Sequence, residues 1–215
     1  MYLNKLYLDF EKKCEKLTNR ANKILVNKHS IQEWEFNYLS ENLLSDLWQA
    51  WCLFCKKILI LSCQGTKDRN NLQIPKLSSP DLSTLRLSYE VSANKSHRNP
   101  TANGHLSYKS AYDITWGDTS KLIDAINFLS PHNHNTLITA FGSTAIINDI
   151  QLTRNFSAHK NKDTLTNCRG FLLSYNLTNV KSPTDIIWST HNDTGEFAIL
   201  CWIFYCQLIA DNATS

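Results

Sequence analysis

Apolar side chains recur every three or four residues in two long segments near the start of the chain. From Tyr2 to Val26 they form one stripe opposite a face rich in lysine and glutamate, which predicts an amphipathic helix. From Asn37 to Ser62 they cover most of the circumference, Tyr38 included. This second pattern is typical of a helix at the centre of a bundle, and Gly65 is a suitable residue to end it.

The periodicity weakens between Thr66 and Trp116, where proline, glycine and polar residues accumulate. Pro80-Asp81 followed by LSTLRLSYEV predicts one short capped helix. Residues 95–104, KSHRNPTANG, predict an exposed loop. Because the apolar content is thin, we expect residues 66–117 to be an insertion in a single domain spanning 1–215, not a second domain.

Helical periodicity returns at Asp118, which can serve as an N-cap, as can either of the next two residues. A short helix is expected from Asn135 to Phe141, with Gly142 as its end. A last helix is expected from Phe197 to Ala210, where the run FAILCWIFYC begins.

The longest predicted segment begins after Ser143 or Thr144, either of which can cap it. It extends from Ala145 to Leu177 and is expected to be helical, with an irregularity after His159. No part of the chain shows sustained alternation of apolar and polar residues. The predicted fold is therefore all-α: an up-and-down bundle of four to five main helices, with the polar insertion between the second and the third.

Composition sets limits on the class of protein. The chain has 215 residues, 42% of them hydrophobic, which is enough for a substantial core. Charged residues make up only 19%, and there are six tryptophans; this combination suggests that a partner covers some apolar surface. The net charge of +3 permits an RNA substrate but does not by itself indicate one.

The expected location is the cytoplasm. The chain opens MYLNKLYLDFEKKCEK, without the apolar stretch of a secretory signal. Seven cysteines, an odd number, are then expected to be reduced thiols. The run FAILCWIFYC has about half the length that a membrane-spanning helix needs, so no membrane association is expected.

One short motif stands out in the long C-terminal segment: Arg154-Asn155-Phe156-Ser157-Ala158-His159, or RNFSAH. A second Arg and His, Arg98 and His105, have a similar spacing. Pro100 and Gly104 lie between them and predict a loop. Only the Arg154 motif therefore lies in a predicted bundle helix.

The RNFSAH motif resembles the defining motif of the HEPN superfamily, an Arg followed after four to six residues by a His, often with a polar residue directly after the Arg. The resemblance covers about Ala145 to Tyr175. It implies an all-α bundle, usually dimeric, that cleaves RNA without a metal ion or other cofactor. It also implies a toxin or antiphage-defence effector, commonly restrained by the product of a neighbouring gene or coupled to an ATPase partner.

The residue types suit this chemistry. An adjacent 2′-OH can serve as the nucleophile, and an imidazole such as His159 can move protons near neutral pH. The guanidinium of Arg154 can stabilise the charge on the phosphorane with two aligned N–H donors. The expected products carry 2′,3′-cyclic phosphate and 5′-OH ends. Asn155 is expected to orient His159 or bind a phosphate oxygen, and Lys160 and Lys162 are expected to hold the RNA backbone.

Helical geometry constrains this pair. Positions five apart differ by about 140° around a regular helix, so Arg154 and His159 do not share one face. Asn155 and His159, four apart, do. Convergence on one phosphate therefore requires a kink in the helix or a symmetric dimer with motifs from both chains in one groove.

Other candidates have simpler interpretations. Cys52 and Cys55, with Cys63 nearby, are interpreted as buried apolar residues and not as zinc ligands. His132 and His134 are interpreted as loop residues. No metal site is expected.

Several other aromatic and basic residues have less specific predicted roles. The basic loop is interpreted as solvated, although contact with RNA is an alternative; it comprises Lys95, His97, Arg98, His105 and Lys109. Trp116-Gly117-Asp118 is interpreted as a helix entry. Tyr108 and Tyr112 could stack on bases or contact a protein. Trp48, Trp51 and the FAILCWIFYC run are interpreted as core, and also as a candidate dimer or partner surface. The alternative function is a non-catalytic helical scaffold that docks onto a larger ATPase or nuclease.

Overall fold

The computed structural model describes residues 2–142 and 145–215. The described chain is mostly helical, as the hydrophobic pattern predicted, with one very small antiparallel hairpin in addition. The helices are α1 (Leu3–Val26), α2 (Glu33–Gln64), α3 (Thr84–Lys95), α4 (Thr119–Leu129), α5 (His134–Gly142), α6 (Ile146–His159), α7 (Lys162–Cys168), α8 (Pro183–Ile187) and α9 (Ala198–Thr214). The strands are β1 (Thr66–Lys67) and β2 (Gln73–Ile74).

The chain divides into two compact units. In described residues, unit 1 comprises 2–9, 52–142 and 209–215, and unit 2 comprises 10–51 and 145–208. Helices α1, α2 and α9 each contribute residues to both units. Residues 66–117, the predicted insertion, belong to unit 1 together with α4, α5 and the second half of α2. A single domain and an up-and-down arrangement both stay predictions.

In unit 2, α2 begins at Glu33, four residues before the predicted start. Glu33 and Glu35 lie in its first turn, where negative charge is favourable because the helix dipole is positive there. The expectation that apolar residues of this helix are central is wrong for Tyr38, which is 63% exposed. Trp48 and Trp51 are buried within the chain. Their second assignment, as a partner surface, is therefore wrong: their area is already covered.

Helix α6 supports the predicted break after His159. Lys160 adopts a left-handed conformation with φ of 43°, and its N–H donates to the Phe156 carbonyl at 2.8 Å. Asn161 then caps α7 by accepting from the N–H of Thr164 at 2.9 Å. The expected irregularity is thus a complete helix end followed by a new helix. The prediction of a helix as far as Leu177 is wrong beyond Cys168, where α7 ends. Ser143 and Thr144, the predicted caps of this segment, lie outside the described residues.

The inner side of α6 holds a polar group in the core of unit 2. The Tyr175 hydroxyl donates to Asp149 Oδ2 at 2.8 Å and accepts from the indole N–H of Trp202 at 2.8 Å. Burial raises the pKa of Asp149 to about 6, and the Tyr175 hydrogen bond opposes that rise. Burial and the Asp149 charge raise the pKa of Tyr175 as well. The hydrogen bonds partly offset the cost of burying a carboxylate.

In unit 1, one acidic residue organises the polar insertion. Asp113 accepts from Lys56 Nζ at 2.5 Å, from the Tyr108 hydroxyl at 2.7 Å and from the Trp116 indole at 3.1 Å. The Tyr108 hydroxyl is therefore engaged within the fold, whereas Tyr112 is 64% exposed; base stacking by either ring stays a prediction. A segment with little apolar content is held here by hydrogen bonds around a carboxylate.

Caps and turns in unit 1 follow local chemistry. Asp118 is the N-cap of α4, as predicted, and accepts from the Lys121 N–H at 3.2 Å. Ser83 caps α3, so that helix begins slightly later than Pro80-Asp81 suggested. Gly65 has a φ of 85° and follows the last residue of α2, which confirms its predicted role.

The last helix is apolar but has an exposed edge. Phe204 and Leu208 are 60% and 41% exposed, while Trp202 and Cys206 are buried. Within the described residues, no helix combines the length and the apolar content needed to span a bilayer.

Candidate functional site

The RNFSAH motif occupies the last turns of α6 and faces away from the core. Arg154 and Asn155 are partly exposed and His159 is exposed, whereas Phe156 between them is buried. Arg154 Nη1 lies 3.5 Å from Asn155 Oδ1. Among described residues, the His159 imidazole has no hydrogen-bond partner. The hydrophobic interior therefore takes up none of the three predicted catalytic side chains.

Arg154 and His159 leave α6 in different directions. The helix is regular from Ile146 to His159, so the two positions differ by about 140° around its axis. Asn155, about 100° from Arg154, lies between them in that rotation. One of the two predicted routes to a shared phosphate, a kink between Arg154 and His159, is absent from this described helix.

Arg154 lines a surface cleft of about 640 Å³ between α6 and the first half of α2, both within unit 2. The lining from α2 recurs with helical spacing, and the lining from α6 is the Arg154 side of that helix. The residues are Trp34, Asn37, Tyr38, Glu41, Asn42, Ser45, Arg154, Ser157, Ala158 and Lys160. The volume falls in the range of small-molecule and cofactor sites.

A carboxylate anchors the cleft floor. Glu41 Oε2 accepts from the Ser157 hydroxyl at 2.8 Å, and Glu41 Oε1 lies 2.9 Å from Lys160 Nζ. The Glu41 side chain is only 16% exposed, while that of Lys160 is 60% exposed. Lys160 therefore balances the Glu41 charge locally. The ammonium group that is predicted to hold the RNA backbone is thus also engaged in an ion pair within the chain.

The Arg154 guanidinium forms no ion pair with any described residue. Since Lys160 and Glu41 offset each other, the lining carries one net positive charge, and it resides on Arg154. A guanidinium in a cleft, with its N–H donors not committed to a carboxylate, suits binding of a phosphate. Lys162, the other predicted RNA contact, is exposed at the start of α7.

Sequence reasoning missed the α2 side of this cleft. The apolar pattern of α2 includes Tyr38 as a buried position and gives no role to Trp34 or Glu41. The available signal was their spacing: positions 34, 38, 41 and 45 follow one stripe of a helix and mix aromatic with polar residues. That stripe predicts an amphipathic surface, but nothing local indicates that α6 lies beside it.

A second cleft, of about 550 Å³, lies in unit 1 between α3 and α4. It includes part of the predicted basic loop, namely Lys95 and His97. The other loop histidine, His105, is not solvated as expected: its Nε2 lies 3.3 Å from Asp81 Oδ2 and its side chain is 15% exposed. His105 is therefore occupied with a contact inside the chain.

The remaining candidates for metal ligands are three cysteines and two histidines of unit 1. Cys55 and Cys63 are buried, as interpreted, and burial raises the pKa of Cys63 to about 12. Cys52 is partly buried. His132 is exposed, and His134 Nε2 lies 2.9 Å from Asn127 Oδ1 at the start of α5. No group of three or more potential metal ligands occurs in residues 2–142 and 145–215.

Comparisons of the whole chain add no relative to these observations. Searches against family models, curated proteins and solved structures found no match.

Proposed function

We propose that this chain is a metal-independent endoribonuclease of the HEPN type, acting as a symmetric dimer. The observation that carries the proposal is the exposed motif on α6: Arg154 lines a cleft without an ion pair, and His159 ends the same helix with a free imidazole. Both groups can reach a ligand. Catalytic side chains need this access.

The reaction follows from the residue types. A base removes the 2′-OH proton, the 2′ oxygen bonds to the adjacent phosphorus, and the bond from phosphorus to the 5′ oxygen breaks. An acid then donates a proton to that leaving oxygen. The products carry a 2′,3′-cyclic phosphate and a 5′-OH. His159 supplies the proton transfers, Arg154 stabilises the phosphorane charge, and Asn155 orients His159 or binds a phosphate oxygen.

Two copies of the chain are needed for this geometry. Because Arg154 and His159 point about 140° apart on a regular helix, one copy presents only one of them to a given phosphate. A twofold axis beside α6 would place Arg154 of each copy opposite His159 of the other, which gives two such pairs in one dimer. Lys160 and Lys162 then contact the RNA backbone at its edge.

The biological role in this proposal is that of a toxin or antiphage-defence effector in the cytoplasm. It follows from the resemblance of RNFSAH to the HEPN motif. A partner that masks the groove, encoded by a neighbouring gene or associated with an ATPase, would restrain the activity.

The first experiment incubates purified protein with total RNA in EDTA and compares it with His159→Ala. Cleavage that persists in the chelator, yields cyclic phosphate ends and is lost in the variant would support the proposal. Identical RNA profiles from both proteins would contradict it.

A second experiment tests the dimer. Light scattering should give twice the chain mass, and mixed Arg154→Ala and His159→Ala proteins should recover roughly a quarter of the activity. Half of the mixed dimers are hybrids, and each hybrid keeps one intact pair. A fully active monomer, or mixing without recovery, would refute the composite site.

One observation favours the alternative function, a non-catalytic scaffold. Phe204 and Leu208 are exposed and four residues apart on α9, so they present adjacent apolar area to solvent. A docking subunit needs such area. If the RNA assays are negative, this edge of α9 is where a larger ATPase or nuclease would be sought.

A further inference from the structure

Two aromatic rings on α2 remain exposed beside Arg154. Trp34 is 66% exposed and Tyr38 is 63% exposed, and both line the cleft. They are four residues apart and therefore project from the same side of the helix, with their Cα atoms about 6 Å apart along its axis.

The fold buries a neighbouring aromatic side chain of α2 but leaves Trp34 and Tyr38 exposed. Phe36, between the two rings, is buried and stacks on Trp188 with ring centroids 5.7 Å apart. The Trp34 indole N–H donates to Gln32 Oε1 at 2.6 Å, within its own turn. The Tyr38 hydroxyl has no partner among described residues. The fold thus uses one aromatic ring of this stretch and leaves two in solvent.

The polar lining complements the rings. Arg154 provides a positive charge without an ion pair, and Asn37 and Asn42 provide amide donors and acceptors in the same cleft. Glu41, the carboxylate of the lining, is balanced by Lys160. The cleft therefore joins flat apolar faces, amides that can pair with base edges, and a cation for phosphate. Unpaired nucleic acid presents these three chemistries together.

We infer that Trp34 and Tyr38 form a base-stacking subsite that holds unpaired nucleotides next to the phosphate bound by Arg154. In a duplex, base faces are covered by neighbouring pairs; in an unpaired strand they can turn out onto an aromatic side chain. The subsite therefore selects unpaired over paired RNA. This inference rests on the proposed ribonuclease function for its choice of RNA, but its residues lie on a different helix from the motif.

The test measures binding without cleavage, in full-length protein carrying His159→Ala. The probe is a fluorescein-labelled RNA strand of about 12 nucleotides with no self-complementarity, used alone or annealed to its complement. Fluorescence anisotropy gives Kd. In this background, Trp34→Ala and Tyr38→Ala should each weaken binding of the unpaired strand by about tenfold, because each removes one stacking surface.

Two sets of variants separate stacking from other effects. Trp34→Phe and Tyr38→Phe keep a ring and should retain most of the affinity. Tyr2→Ala removes a tyrosine that is similarly exposed, at 58%, in unit 1, and should leave Kd unchanged. Circular dichroism establishes that each variant is folded. If an alanine variant fails to fold, the comparison of strand with duplex still decides the question.

The subsite is refuted if Trp34→Ala and Tyr38→Ala bind the strand as tightly as their parent, or if the duplex binds as tightly as the strand. These results are distinct from failure of the nuclease. RNA cleavage by the native chain with no effect of either ring would leave the nuclease standing and remove the subsite. Ring-dependent binding by a chain that cuts no RNA would do the reverse.

Discussion

The α3–α4 cleft of unit 1 and the α2–α6 cleft of unit 2 have similar volumes and similar charge, yet they offer different chemistry. The unit 1 cleft contains Lys95, His97 and Lys121, and the unit 2 cleft contains Arg154 and Lys160. The number of basic residues alone does not show which cleft binds a polyanion. Each cleft keeps one cation without an ion pair among the described residues, Lys95 in unit 1 and Arg154 in unit 2. The difference lies in the kind of cation and in which aromatic rings are open.

In unit 1, Lys121 Nζ lies 2.6 Å from Asp118 Oδ2, a second carboxylate, Asp124, lines the cleft, and its one aromatic, Phe128, is 39% exposed. In unit 2, Arg154 has no ion pair and two rings are more than 60% exposed. A basic cleft therefore indicates a polyanion site only when its charge is uncommitted and flanked by surfaces that fit the rest of the ligand.

The largest expected difference between the two units concerns one histidine of each, His159 beside the unit 2 cleft and His97 in the unit 1 cleft. His159→Ala should lower the rate of RNA cleavage by about 10² to 10⁴-fold, because it removes the group that transfers protons. His97→Ala, a histidine lining the unit 1 cleft, is the matched control and should leave the rate unchanged. Gel analysis of RNA fragments over time checks both. Equal losses in the two variants would show that the comparison between clefts is wrong.

The arginine gives the next effect. Arg154→Lys keeps the positive charge but loses the two-pronged donor geometry, so kcat should fall by about 10 to 100-fold with little change in KM. Arg169→Lys changes an exposed arginine of the same unit and should have no effect. A loss confined to KM would mean that Arg154 only binds RNA.

The core behind the unit 2 cleft should respond to pH. The folded pKa of Asp149 is raised to about 6 from 3.8, so the folded state binds this proton more tightly than the unfolded state. The stability that this group contributes is present below about pH 4 and is lost as the pH rises to about 6. Asp149→Asn keeps an acceptor for the Tyr175 hydroxyl and removes that loss.

We expect Asp149→Asn to raise the free energy of unfolding at pH 8 by about 1–2 kcal/mol, less than the full shift implies because the site is partly solvated. The advantage should vanish near pH 3.5. Urea denaturation at both pH values measures it, with exposed Asp193→Asn as the control. An unchanged difference between the two pH values would contradict the assignment. Cleavage should be unaffected, which would separate core stability from cleft chemistry.

The smallest effect is expected at the cleft carboxylate. Glu41→Gln retains an acceptor for Ser157 but frees Lys160, so the cleft gains one positive charge. RNA should bind about two to five times more tightly at low salt, and stability should change by less than about 1 kcal/mol because Lys160 is largely exposed. Asp124→Asn makes the same change of charge in the unit 1 cleft. Equal tightening by both variants would indicate a diffuse charge effect.

Much of the fold was predictable from short-range pattern. The cap at Asp118, the helix end at Gly65 and the break after His159 all depend on residues within one or two turns. The start of α2 was missed because, of its first four residues, Phe36 alone adds to the buried stripe. The hairpin of two-residue strands was missed because it is too short to show alternation.

The candidate site likewise has one part that was predictable from the sequence and one part that was not. RNFSAH is contiguous, so its residues and their angular offset followed from the sequence. Its partners did not. Glu41 and Ser157 are 116 residues apart, and no local pattern indicates that their side chains meet.

By itself, the sequence determined several helix boundaries, and that the motif falls at the end of a helix, since these depend on periodicity and capping along the chain. The tertiary structure alone decided which apolar residues are covered. Trp48 and Trp51 are buried while Trp34 and Tyr38 are open, although all four belong to one helix. Exposure depends on what packs against each face, and those neighbours come from distant parts of the chain.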